Sequence, residues 1–129
     1  MENLKSNLDQ VSQKLSHVRK YLIFILNGAY YGVPLSEVKE VIGLPQCVPV
    51  PSSPPYLLGL INLRGRVISA IDLKGKLGIS SGGQAVKRPA VILTECDSII
   101  LGCVVDSISE VLAIDESNID RSMEVQVVG

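Results

Sequence analysis

The chain has 129 residues, 47% of them hydrophobic and 19% charged, enough to bury a core and too apolar for disorder. A formal net charge of −1 leaves no basic surface able to track a nucleic-acid backbone. No apolar run approaches the ~18 residues of a membrane span, and the polar start Met1-Glu2-Asn3-Leu4-Lys5-Ser6 is no signal peptide, so a soluble, cytoplasmic chain is expected.

In chain order, Leu4, Leu8, Val11, Leu15, Val18 and Leu22 recur at heptad spacing with polar residues between them. The spacing predicts an N-terminal amphipathic helix over 1–19, docked on its own domain or paired with a partner. Tyr21-Leu22-Ile23-Phe24-Ile25-Leu26 is a continuous apolar run, the pattern of a strand buried on both faces. Asn27-Gly28 is a hairpin turn, and Tyr30-Tyr31-Gly32-Val33 is the returning strand. Ser36 as N-cap, Gly43 as C-cap and Pro45 beyond it predict a two-turn helix with Val38, Val41 and Ile42 on one face and Glu40 at its edge.

The stretch Val48-Pro49-Val50-Pro51-Ser52-Ser53-Pro54-Pro55 must be extended and cannot be a central strand. Tyr56 to Leu63 and Val67 to Ile71 flank a turn at Gly65-Arg66, and Asp72 to Gly78 reads as a capped helical turn. Residues 79–87 form a polar, Gly/Ser-rich linker between lobes at 20–78 and 88–129. The last third repeats the beginning: a shift of 70 residues puts Gly32 on Gly102, Val38 on Ile108, Glu40 on Glu110, Val41 on Val111 and Ile42 on Leu112. The reading is one mainly β domain of two similar small lobes.

Catalytic chemistry finds little support. His17, the single histidine, falls in the heptad segment and has no nucleophile to serve. Cys47, Cys96 and Cys103 lack ligand spacing and read as buried thiols in a reducing compartment. Leu77 to Gln84 lacks the Lys-Ser/Thr ending of a phosphate loop. No enzyme activity, metal or cofactor is expected. A strand-rich surface between two lobes suits a partner helix, and Arg64 is a candidate polar anchor. A small ligand-binding barrel is the alternative from another class.

The segment Val50-Pro51-Ser52-Ser53-Pro54-Pro55-Tyr56-Leu57-Leu58-Gly59-Leu60-Ile61-Asn62-Leu63-Arg64-Gly65-Arg66-Val67-Ile68-Ser69-Ala70-Ile71-Asp72-Leu73 closely resembles the signature of the CheW family, coupling proteins that join chemoreceptors to the histidine kinase CheA. Tyr21 to Gly32, Val38 to Ile42 and Leu101 to Val111 resemble its opening hairpin, short helix and "Gly…Val-Asp…Val" strand. The pattern is shared by CheW, CheV and the regulatory domain of CheA. A CheW-like module of another receptor-array pathway, such as twitching motility, therefore stands as the alternative.

The resemblance implies two SH3-like β-barrels, a non-catalytic adaptor in chemotaxis signal transduction, and a place at receptor arrays on the inner face of the membrane. It implies two partners, a CheA-type regulatory domain docking barrel to barrel and a chemoreceptor cytoplasmic tip bound between lobes. Carried over by motif, Arg64 and Glu40 are the polar partner-binding residues, with Val38, Val41, Leu60 and Asn62 around them. An ion pair between Glu40 and Arg64 is expected. Ser69 stands where the family carries proline. The family continues beyond Val125-Gln126-Val127-Val128-Gly129 with an apolar strand pair and a closing helix. The expectation is an open sheet edge and self-association through it.

Overall fold

The structure, a computed structural model, describes residues 18–79, 88–115 and 125–127. The expected N-terminal helix and inter-lobe linker fall outside these residues except at their ends. There the heptad reading is corrected: Val18 and Leu22, its last two positions, lie in strand β1 (Val18–Leu26). Leu22, Phe24 and Leu26 enter one core cluster, while Tyr21 and Ile23 enter another with Ile114. Burial on both faces is what the continuous apolar run predicts.

Asn27 and Gly28, both at positive φ (49° and 81°), turn the chain into β2 (Ala29–Pro34). The two-turn helix expected next does not form. Leu35–Glu37 is a single 3₁₀ turn, and Val38–Gly43 is strand β3. The β-branched residues Val38, Val41 and Ile42 favour extended backbone. Alternation places Val38, Glu40 and Ile42 half-buried and leaves Lys39, Val41 and Gly43 exposed.

The proline segment is extended, and Val48 bridges to Leu60 through two backbone hydrogen bonds of 2.8 and 2.9 Å. β4 (Leu57–Leu63) and β5 (Arg66–Asp72) form a second hairpin, whose turn is Arg64-Gly65, one residue earlier than expected. Helix α1 (Leu73–Leu77) ends at Gly78 in the left-handed conformation, as its sequence predicts. β6 (Ala90–Cys96) and β7 (Ile99–Val105) are a third hairpin, turning at Asp97-Ser98. β8 (Ser107–Asp115) and the three-residue β9 (Val125–Val127) follow.

Two sheets result, in the orders β8-β1-β2-β9 and β3-β6-β7-β5-β4. The 70-residue repeat is structural: hairpin β1-β2 corresponds to β6-β7 and β3 to β8. The third strands are exchanged, so that β8 pairs with β1 and β3 with β6. The register agrees residue by residue: Tyr21 faces Leu112 as Val91 faces Ile42, and Ile23 faces Glu110 as Leu93 faces Glu40. Both pairs carry an irregularity at the same step. Each sheet therefore draws strands from both sides of the segment 79–87. A cluster of Leu22, Phe24, Leu26, Tyr31, Val33, Leu73, Ile92 and Val105 joins them.

A polar link spans the junction. Asp106 Oδ1 pairs with Lys74 Nζ of α1 at 2.9 Å, both side chains under one-fifth exposed. Asp106 Oδ2 accepts the Asn27 N–H at 2.7 Å, and the Asp106 N–H donates to the Ile25 carbonyl. One carboxylate thus fastens the β1–β2 turn to the helix after β5.

Candidate functional site

The five-stranded sheet curls until its two outer strands, β3 and β4, meet at a side-chain pair. Arg64 Nη1 donates to Glu40 Oε2 at 3.0 Å and Arg64 Nη2 to Glu40 Oε1 at 2.6 Å. The pairing is bidentate, the geometry for which a planar guanidinium is suited. Arg64 is 70% exposed and Glu40 32% exposed, so the pair is a surface feature. The hydrogen bonds from Arg64 hold the Glu40 carboxyl below its ordinary range, with desolvation opposing them and the charges of Arg64 and Lys39 adding to them. They hold the guanidinium above its own.

Local sequence accounts for the geometry. Arg64 and Gly65 both sit at positive φ (51° and 81°), and Asn62 Oδ1 accepts the Gly65 N–H at 3.1 Å. Left-handed backbone suits Gly65 and is unusual for arginine. Gly59, on the same hairpin, is required by contact: a Cβ there would collide with the Val48 carbonyl oxygen. Its absence lets the proline segment lie against β4.

The structure brings Glu40, Arg64 and Asn62 together at this turn. Leu60 lies one residue pair further along β4, half-buried and opposite Ser69. Val41 is 40% exposed on β3, on the face opposite to Glu40. Val38 points inward and packs against the shared core cluster.

Pattern reading missed a second feature. Leu60, Ser69 and Leu101 stand side by side on β4, β5 and β7, and one step along the same face come Asn62, Val67 and Ile99. Val67 is 67% and Ile99 62% exposed. An apolar strip thus runs along β4, β5 and β7 toward the turn that carries Arg64, on the sheet face opposite to Glu40, the kind of patch that marks a protein contact. The alternation Val67-Ile68-Ser69-Ala70 carried the signal, since Ile68 and Ala70 are buried while Val67 is exposed and Ser69 half-buried. Ile99 and Leu101 became legible only once the β5–β7 register was known.

Burial pushes the Cys103 thiol up, a hydrogen bond with Thr94 opposing it, and burial raises that of Cys47. Both therefore stay protonated near neutrality. Among the described residues no group of His, Cys, Asp and Glu has the arrangement to hold a metal, and no helix is long and apolar enough to cross a membrane.

A family model described as "CheW-like domain" matches residues 20–128. The chemotaxis protein CheW of Rhizobium meliloti is 29% identical over 107 residues, covering 83% of this chain and 68% of that protein. CheW of Bacillus subtilis is 30% identical over 105 residues, 81% of this chain and 67% of that one. The crystal structure of the scaffolding protein TtCheW from Thermoanaerobacter tengcongensis superposes with a TM-score of 0.72 at 33% identity. It covers 81% of this chain and 73% of TtCheW.

Proposed function

The chain belongs to the CheW-like domain family of chemotaxis coupling adaptors, and we propose that it couples a CheA-type histidine kinase to the cytoplasmic tip of a chemoreceptor. The coupling is non-catalytic and takes place at receptor arrays on the inner face of the membrane. The observation that carries the reading is the bidentate Glu40–Arg64 pair at the β4–β5 turn, with the exposed Val67, Ile99 and Leu101 and the half-buried Leu60 on the outer face of the same sheet. An apolar patch with an oriented arginine at the turn beyond its end supplies area and direction together, the ordinary division of labour at a protein interface. Glu40, Val41, Leu60, Asn62 and Arg64 form the partner-binding surface, and Val38 supports it from beneath. The strip suits barrel-to-barrel docking of the kinase's regulatory domain, and the junction of the two sheets suits the receptor helix.

The test is a calorimetric titration of the chain with a CheA regulatory domain and, separately, with a receptor cytoplasmic tip. Arg64→Ala should weaken one of the two at least about tenfold while the far-UV spectrum is unchanged. Binding of neither partner by the folded wild-type chain would refute the coupling role. Binding of both, unaffected by Arg64→Ala, would refute the site.

A further inference from the structure

The face of β1 that closes the junction between the sheets runs out into solvent at the start of the strand. Leu22 lies in the shared core cluster, with Val33 of β2 and Val111 of β8 beside it. Two residues earlier on the same face stands Lys20, with Ala113 beside it. Val111 is 49% exposed, and Lys20 and Ala113 are exposed as well. β2 no longer flanks Lys20, because its pairing with β1 stops at Tyr21 and Pro34 and the chain turns away as Leu35–Glu37. A recess of about 440 Å³ opens at this point, lined by Arg19, Lys20, Pro34, Leu35 and Ser36. Leu35 is half-buried and packs against the shared cluster, so the floor of the recess is continuous with the junction.

The chemistry of the lining is one-sided. It carries two cations and no carboxylate in a chain whose net charge is −1, so the surplus belongs to this place and not to the surface at large. Arg19 is engaged within the chain. Lys20 and Ser36 have no hydrogen-bond or ion-pair partner among the described residues. Lys39 and Lys74, by contrast, are each closed on a carboxylate of this chain. An ammonium with three donors and a hydroxyl with one thus line a recess whose remaining surface, from Pro34 and Leu35, is apolar.

We propose that Lys20, with Ser36 in the same recess, receives a carboxylate from the helix that docks at the junction of the sheets, so that the receptor tip is selected by an acidic side chain flanking its apolar stripe. The inference rests on the coupling role proposed above and deepens it. Leu35 on one flank of Lys20, and Val111 and Ala113 on the other, offer contact to any apolar side chain. The charge supplies the choice among such helices. It also supplies direction, because a helix laid end to end the other way carries its carboxylate away from the recess and leaves the ammonium unpaired.

The test is a calorimetric titration of the full 129-residue chain with a receptor cytoplasmic tip, and with a CheA regulatory domain as the second ligand. Lys20→Glu should weaken tip binding at least about tenfold and Lys20→Met about threefold, both differences shrinking as salt is raised. Arg88→Glu, a charge reversal at an exposed position before β6, should leave it within about twofold. Binding of the regulatory domain should be the same for all three variants as for the wild type. Both Lys20 variants should keep the wild-type unfolding temperature, since the side chain is exposed and holds nothing within the described residues. Changing the tip's acidic residues to lysine one at a time should find one change that weakens binding to the wild-type chain and restores binding to Lys20→Glu. Equal weakening by Lys20→Glu and Arg88→Glu would overturn the proposal, as would the absence of any restoring change or a loss confined to the regulatory domain. A tip bound equally well by wild type and Lys20→Glu would leave the coupling role standing and remove only the lysine. A wild-type chain that binds the regulatory domain and not the tip would remove the receptor half of the coupling role, and this inference with it.

Discussion

Two turns of this molecule share a backbone and differ in what holds them. Asn27-Gly28 and Arg64-Gly65 both take positive φ at both positions, within two degrees of one another. Asparagine is a residue such a turn favours, and the Asn27 N–H is fastened to Asp106 in the junction between the sheets. Arginine is not favoured there, and its side chain leaves the turn to grip a carboxylate on another strand. The first turn is built for the fold. The second keeps a residue that its backbone disfavours, so its explanation lies in the side chain's reach.

The sharpest way to break the second region while sparing the first is Gly59→Ala. The added Cβ meets backbone atoms of Val48, not a flexible side chain, and the position has φ +152°. The Val48–Leu60 bridge must open, and the support under the Arg64 turn goes with it. Destabilisation of about 3 kcal/mol is expected by thermal or urea unfolding, with amide exchange accelerated first along β4. Unchanged stability would mean that the proline segment does not depend on this contact.

Asp106→Ala attacks the other turn. It removes the acceptor for the Asn27 N–H and leaves Lys74, which is under one-fifth exposed, without its partner. A loss of about 2 kcal/mol is expected, with Asp106→Asn intermediate because an amide oxygen can still accept from Asn27. Equal losses for the two variants would assign the effect to the ion pair alone.

Arg64→Asn separates the two roles directly, by giving the second turn the residue of the first. The backbone then carries a side chain suited to it, so the unfolding temperature should hold or rise slightly. Partner affinity should fall as it does for Arg64→Ala. A drop in stability without a drop in affinity would reverse the assignment of the turn as functional.

The difference between the turns also explains what the sequence disclosed. Hairpins built on local turn chemistry were legible, as were the 70-residue repeat and the α1 stop at Gly78, because each depends on neighbours in the chain. The segment after Ser36 misled. Cap-like residues at both ends outweighed three β-branched residues between them, and the strand is stabilised by pairing with β6, some 50 residues away. Exchange of third strands between the repeats is likewise a tertiary choice that no local pattern encodes. The Glu40–Arg64 pair was expected because a family motif placed both residues. The Asn27–Asp106–Lys74 link was not, since its three members come from a hairpin turn, the β7–β8 junction and helix α1, and their spacing has no period.

The smallest effect tests the Glu40–Arg64 pair itself. The Arg64 guanidinium lowers the Glu40 carboxyl below its ordinary range in the folded chain. A depressed carboxylate contributes stability above its unfolded pKa and loses it as pH falls through the folded value. The contribution should therefore be complete at neutral pH and vanish only in acid, below the usual carboxylate range. Because both groups face solvent, salt should diminish it further. The measurement is a carbon-detected titration of the Glu40 carboxyl in the wild-type chain and in Arg64→Ala. The wild-type midpoint should lie lower, and the gap should narrow as salt is raised. Coincident midpoints would show that the contact is too transient in solution to orient either group. The arginine would then owe its place to what it meets outside this chain.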